Sequence, residues 1–186
     1  MDGAAPPREG GRKTGGLASV FLQPGDYFVG TNARVRTILG SCVSITLWHP
    51  GFRVGAMSHF VLASRSTRGS ASLDARYGEE ALELMARELA AFGVRPADCE
   101  GKIFGGGDMF PDHTARFSGL PPIGRRNGEA AWSMLEARGV RISSQHLYGS
   151  GHRNIVFDVS SGHVWVRHVK KKPGDNASEA QSGWAP

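Results

Sequence analysis

Thr37-Ile38-Leu39-Gly40-Ser41-Cys42-Val43-Ser44-Ile45-Thr46-Leu47 sets a Gly-Ser-Cys corner between two apolar runs. Gly40 permits a sharp backbone turn, and beyond it Val43, Ile45 and Leu47 alternate with Ser44, Thr46 and Trp48, the two-residue period of a half-buried strand. The Cys42 thiol therefore stands where a turn enters a strand, held rigidly and still reachable. Seventeen residues later comes His59, within Gly55-Ala56-Met57-Ser58-His59-Phe60-Val61-Leu62, a second extended run able to pair beside the first. One cysteine and one histidine are the minimum set for thiol nucleophilic catalysis.

Outward from this corner, Ser19 to Leu22 reads as a short strand, Pro24-Gly25-Asp26 as a turn, and Arg34 to Leu39 as the strand entering the corner. Pro50-Gly51 closes the strand that leaves it. The periodicity predicts a helix over Asp74 to Phe92, with Tyr77, Ala81, Met85, Leu89 and Phe92 on its core face and Gly93 as the stop. Lys102-Ile103-Phe104 predicts a strand running into Gly105-Gly106-Gly107. Asp108-Met109-Phe110-Pro111 follows where a phosphate loop would carry Lys-Ser/Thr, so the glycine run signals close backbone approach in a core or site wall. Asn127 as N-cap, Glu129, Ala131, Met134 and Leu135 signal a second helix ending at Gly139. Arg141 to Leu147, Asn154 to Val159 and His163 to Val169 read as strands, the last two joined by a Ser160-Ser161-Gly162 turn.

Two helices against many short strands make an α+β fold, two main helices on mixed β-sheets. Residues 18–170 are expected to form a single domain. Residues 1–17, rich in Gly, Pro and Arg, read as a disordered extension, and 171–186 as a flexible tail. Ala63 to Ala71 reads as a mobile surface connection near the corner.

The chain's 186 residues, 40% hydrophobic and 21% charged, suit one soluble domain. No apolar leader and no membrane span is visible, which predicts a cytoplasmic protein without membrane insertion. Two cysteines, Cys42 and Cys99, argue against a disulfide framework and favour two free thiols over a single bridge. The net charge of +5 admits an acidic partner, but Arg167, Lys170, Lys171 and Lys172 read as a solvated strand end, and no nucleic-acid-binding pattern accompanies them. Among the seven histidines, His49, His113, His146, His152, His163 and His168 read as surface or structural, and no metal-ligand spacing or cofactor motif is present.

The pair at Cys42 and His59 is where the chain resembles a known family, the chemoreceptor glutamine deamidase CheD. The resemblance rests on Pro24-Gly25-Asp26-Tyr27, Leu39-Gly40-Ser41-Cys42-Val43, Gly55-Ala56-Met57-Ser58-His59-Phe60, Lys102-Ile103-Phe104-Gly105-Gly106, Gly124-Arg125-Arg126-Asn127, and Gly162 with Val164 and Val166, in that order. It implies a layered α/β/β sandwich, a catalytic Cys42, a catalytic His59 and a threonine as third member, with Thr37 the nearest candidate. The implied substrates are glutamines on the cytoplasmic helices of methyl-accepting chemotaxis receptors, with glutamyl methyl esters as a second substrate class and the phosphatase CheC as a regulatory partner. Ala63 stands where the family usually has proline, and Gly107 where it often has alanine; both departures touch loop geometry.

The chemistry expected of such a site starts from imidazolium His59, which would hold Cys42 as thiolate near neutral pH. The thiolate attacks a carboxamide carbon, and backbone N–H groups around Gly40, Ser41 and Cys42 meet the oxyanion. His59 protonates departing ammonia and then activates the water that hydrolyses the thioester, while Thr37 orients the ring. Two other readings stand beside this one: a non-catalytic adaptor binding receptor or phosphatase, and a basic nucleic-acid-binding domain.

Overall fold

Strict alternation of buried and exposed residues along Ala33–Leu39 shows how the sheets are built: Ala33, Val35, Thr37 and Leu39 face inward while Arg34, Arg36 and Ile38 face outward. The computed structural model describes residues 17–66, 72–109 and 119–170. In chain order the elements are β1 (Ala18–Phe21), β2 (Tyr27–Thr31), β3 (Ala33–Leu39), β4 (Val43–His49), β5 (Val54–Ser58), α1 (Gly78–Ala90), β6 (Glu100–Gly105), α2 (Ile123–Ala137), β7 (Arg141–Leu147), β8 (His152–Asp158) and β9 (Val164–Val169). They form a four-stranded sheet, β1-β3-β8-β9, and a five-stranded sheet, β2-β5-β4-β6-β7. Both sheets are mixed, since β1 runs parallel to β3 and β6 parallel to β7.

Two apolar cores separate three layers. Val43, Ile45 and Leu47 of β4, Val54 and Ala56 of β5 and Ile103 of β6 pack with Ala81, Leu82, Met85 and Leu89 of α1 and Ala131 and Leu135 of α2. On the other face of the same sheet, Met57 and Phe104 meet Val35, Leu39, Ile155 and Phe157. The five-stranded sheet is thus the middle layer, and all five residues of β5 are buried because both of its faces are covered. The layered α/β/β sandwich implied by the resemblance is the observed fold.

Several local expectations shift. β2 carried no strand reading, because Gly30 interrupts Tyr27-Phe28-Val29-Gly30-Thr31; pairing with β5 holds it extended all the same. α1 begins at Gly78 rather than Asp74: a bridge to Leu62 keeps Tyr77 extended (φ −104°, ψ 127°), and its ring lies under Arg65 instead of in the core. Phe92 falls past the helix end and is 44% exposed. α2 begins at Ile123, four residues before the expected cap. Gly93 and Gly139 end their helices at φ +72° and +67°, where a side chain would be strained. The expected disorder of 1–17 falls, but for Leu17, outside the described residues, as do the tail 171–186, His113 and most of the second half of the Ala63–Ala71 connection.

Candidate active site

Val43 N–H donates to Phe60 O (3.1 Å) and Phe60 N–H to Val43 O (3.0 Å), which carries the β4–β5 pairing one step beyond the end of β5. In that register Ser44 lies directly across from His59, and Cys42 lies diagonally across from it. Val43 and Phe60 point to the helices, so Cys42, Ser44 and His59 share the opposite face, toward the four-stranded sheet. Diagonal neighbours on one face stand ~7–8 Å apart at the backbone, within reach of an imidazole.

Thr37 reaches this layer from β3 of the facing sheet, 1% exposed. Its hydroxyl donates to Leu22 O (2.9 Å) and lies 2.7 Å from His59 Nδ1. A hydroxyl has one proton, here committed to Leu22, so Oγ1 accepts from Nδ1–H and the ring's lone pair is on Nε2. His59 Nε2 and Ser44 Oγ are buried with no hydrogen-bond partner among the described residues. Buried polar atoms left unpaired cost free energy, and such atoms concentrate where a ligand completes the network.

Burial pushes the Cys42 thiol above its ordinary value, with its own backbone N–H opposing in part. Burial also lowers His59 below its ordinary value, outweighing the Leu22 carbonyl and the Asp26 charge that favour imidazolium. Both shifts run toward the uncharged pair, the opposite direction from the expected thiolate–imidazolium one, and burial is the largest cause of each.

Two consequences are measurable. The unfolded imidazole titrates near 6.5 and the folded one lower, so between these values the unfolded chain binds more protons and stability falls as acid is added. Urea titrations from about pH 7 to about pH 5 are expected to show this loss, and His59→Gln to show a shallower one. Thr37→Val removes the hydroxyl that accepts from Nδ1 and donates to Leu22 O, so any activity that needs an oriented His59 is expected to drop ~10–100-fold. Thr37→Ser keeps the hydroxyl and is expected to stay within about threefold; equal losses in both variants would show that the hydroxyl does not orient the ring.

The glycine run walls the corner, as its composition suggested. Gly106 N–H donates to Cys42 O (2.9 Å) and Gly107 N–H to Gly40 O (2.8 Å), while Gly105 has φ +114°. Gly124, at the start of α2, abuts the Gly106 and Gly107 carbonyls so closely that a Cβ there would come within 2.6 and 2.7 Å of them. This docks α2 beside Cys42.

Two residues that sequence reasoning assigned otherwise or passed over belong here. Asn127 is not a cap: it lies inside α2, 1% exposed, its Nδ2 donating to Ser41 O (3.3 Å) and Val61 O (2.8 Å). The signal was its spacing, since Asn127, Ala131 and Leu135 form one buried i, i+4, i+8 stripe. Arg153 of β8 is fully buried across from Leu39, its Nε donating to His146 Nδ1 (2.8 Å) and its Nη2 to Tyr148 O. Its Nη1 has no partner among the described residues, and burial lowers its pKa. An arginine in alternation with Ile155 and Phe157 was the available signal.

Cys42 and Cys99 are both free. Cys99 packs in the helix-side core, where burial first and Asp98 second push its thiol up to about 12. Among the described residues no group of three or more His, Cys, Asp or Glu could hold a metal ion, and no helix is long and apolar enough to cross a membrane. A shallow depression lined by Arg34, Arg36, Val156 and Trp165 lies on the outer face of the four-stranded sheet, away from Cys42.

A family model described as CheD chemotactic sensory transduction matches residues 61–168, a span that starts just past His59. Curated relatives cover the corner as well. The chain is 55% identical over 152 residues to a probable chemoreceptor glutamine deamidase CheD 2 of Albidiferax ferrireducens, covering 81% of this chain and 87% of the relative. It is 44% identical over 151 residues to a probable chemoreceptor glutamine deamidase CheD 3 of Dechloromonas aromatica, with 81% and 87% covered. A probable chemoreceptor glutamine deamidase CheD of Pseudomonas savastanoi pv. phaseolicola is 43% identical over 154 residues, with 82% and 86% covered.

Proposed function

Since the chain belongs to the CheD family, we propose that it is a hydrolase that converts glutamines on the cytoplasmic helices of methyl-accepting chemotaxis receptors to glutamate, releasing ammonia. The observation that carries the reading is His59: Thr37 holds its Nδ1–H, and its unpartnered Nε2 is on the face it shares with Cys42.

The residues assign the steps. With burial shifting both groups toward their uncharged forms, Nε2 takes the thiol proton as Sγ bonds to the carboxamide carbon. The carbonyl electrons move onto oxygen, where the N–H groups of Ser41 and Cys42, at the turn Gly40 allows, meet the charge. The tetrahedral species collapses and the C–N bond breaks as His59 gives its proton to the departing nitrogen, which leaves as ammonia. Neutral Nε2 then takes a proton from water as its oxygen bonds to the thioester carbon; as the C–S bond breaks, Nε2 passes that proton to sulfur, which restores the thiol and leaves glutamate. Thr37, a neutral orienter, stabilises imidazolium less than a carboxylate would, so substrate positioning carries much of the rate.

Glutamyl methyl esters would follow the same path with methanol as leaving group. The proposal places the protein in the cytoplasm beside the receptor helices and keeps CheC as a partner on the strength of the family resemblance. The alternative, a receptor-binding adaptor, requires neither a free thiol nor an oriented imidazole. Incubating the protein with a purified receptor cytoplasmic fragment is expected to add about one dalton per converted glutamine, with one ammonia released. Binding without any mass gain would put the adaptor reading in its place.

A further inference from the structure

The two strand ends that carry Cys42 and His59 run past their last mutual backbone bond, Val43 to Phe60, and beyond it one side chain spans them both: the Asn127 amide donates to Ser41 O and to Val61 O. We infer that Asn127 is a positioning residue that fixes the Ser41–Cys42 peptide plane, so that the Cys42 N–H faces the developing oxyanion. The inference rests on the reading of Cys42 as an acyl-transfer nucleophile.

The geometry follows from the planarity of the peptide. The described residues contain no cis peptide, so the Ser41 C=O and the Cys42 N–H point in opposite directions. Ser41 O turns toward Asn127 on α2, and the Cys42 N–H is thereby turned away from the helix. It donates to no backbone carbonyl among the described residues, which leaves it available as a donor. The Cys42 carbonyl is held separately, by Gly106 N–H (2.9 Å), so both peptide planes flanking Cys42 are pinned. An asparagine in the buried stripe of a helix is costly unless both its donors are used, and here both are used on the two strand ends that form the corner.

An amide that only satisfied two carbonyls would hold the fold without favouring one reaction over another. Two reactions of Cys42 separate these roles. With p-nitrophenyl acetate, Sγ bonds to the ester carbonyl carbon, His59 Nε2 takes the thiol proton, an oxyanion forms and collapses, and the C–O bond to p-nitrophenolate breaks. With iodoacetamide, His59 Nε2 again takes the thiol proton, and Sγ bonds to a saturated carbon as the C–I bond breaks and iodide leaves; no oxyanion arises.

The full chain and its Asn127→Ala and Asn127→Ser variants are compared in both reactions, with Cys42→Ala rates subtracted. Asn127→Ala is expected to slow acylation at least about tenfold, against the ~10²–10³ that a single oxyanion donor supplies, while alkylation stays within about threefold. Asn127→Ser, which keeps one donor and less of a void, is expected to fall between. Acylation at the native rate in either folded variant overturns the inference. A parallel fall of both rates overturns it too, since that marks a purely structural role. Neither probe is a receptor, so the outcome is independent of whether receptor glutamines are the substrate.

Discussion

Cys42→Ala is expected to abolish deamidation of a receptor fragment, leaving at least ~10⁴-fold less activity than the native chain, because removal of a nucleophile leaves only the residual effect of binding and backbone donors. No neighbour can take over. Ser44 Oγ is fully buried across from His59, and a hydroxyl is a far weaker nucleophile than a thiol. Cys99 is 3% exposed in the helix-side core with its thiol raised to about 12. Cys42 itself is only half-buried and ends a corner, so its truncation is expected to cost about 1 kcal/mol or less and to leave receptor binding intact. Full activity in the variant would remove Cys42 from the mechanism.

The second large effect is on the backbone. Gly105→Ala would place a methyl group 2.2 Å from the Cys42 carbonyl oxygen, at φ +114°, a conformation that L-residues rarely adopt. Strain and overlap together are expected to cost about 3 kcal/mol or more, a fall in Tm of roughly 6–12 °C for a chain of this size. Relief of the overlap must move Cys42, since the other side of the contact is backbone, so activity is expected to fall further than stability. A variant with native Tm and native rate would show that the wall is softer than its geometry. The contrast is Gly93→Ala, where no atom lies within 4 Å and only the φ of +72° is penalised.

How much of this was legible differs by residue. β3 and β4 were read within a residue of their ends because one face of each repeats every second position, and β7 was read to the residue. β2 was not, since Gly30 hides a strand that is held by its partner rather than by its own composition. Met85, Ala81 and Leu89 belong to the core as the helical period required, but Tyr77 and Phe92 lie past the helix ends, where the period no longer applies. At the site, Cys42 and His59 were legible as a pair, and register puts them on one face. What could not be read was desolvation, which lowers His59 and raises Cys42 and depends on how the second sheet packs over this layer. Nor could the Asn127 bridge be read, since its acceptors at Ser41 and Val61 are 86 and 66 residues away in sequence. Local pattern names a buried polar residue without naming its partner.

The double cover of β4 and β5 has a kinetic meaning. Amides in strands shielded on both faces exchange with solvent mainly when the whole domain opens, so Ile45, Leu47 and Ala56 should rank among the slowest protons to exchange. Cys42 and His59 flank those strands and are tethered to that slow-opening unit. Heat should therefore switch the protein off in one cooperative step, with catalytic loss and melting superimposed, while the edge strand β9 frays at lower temperature without silencing it.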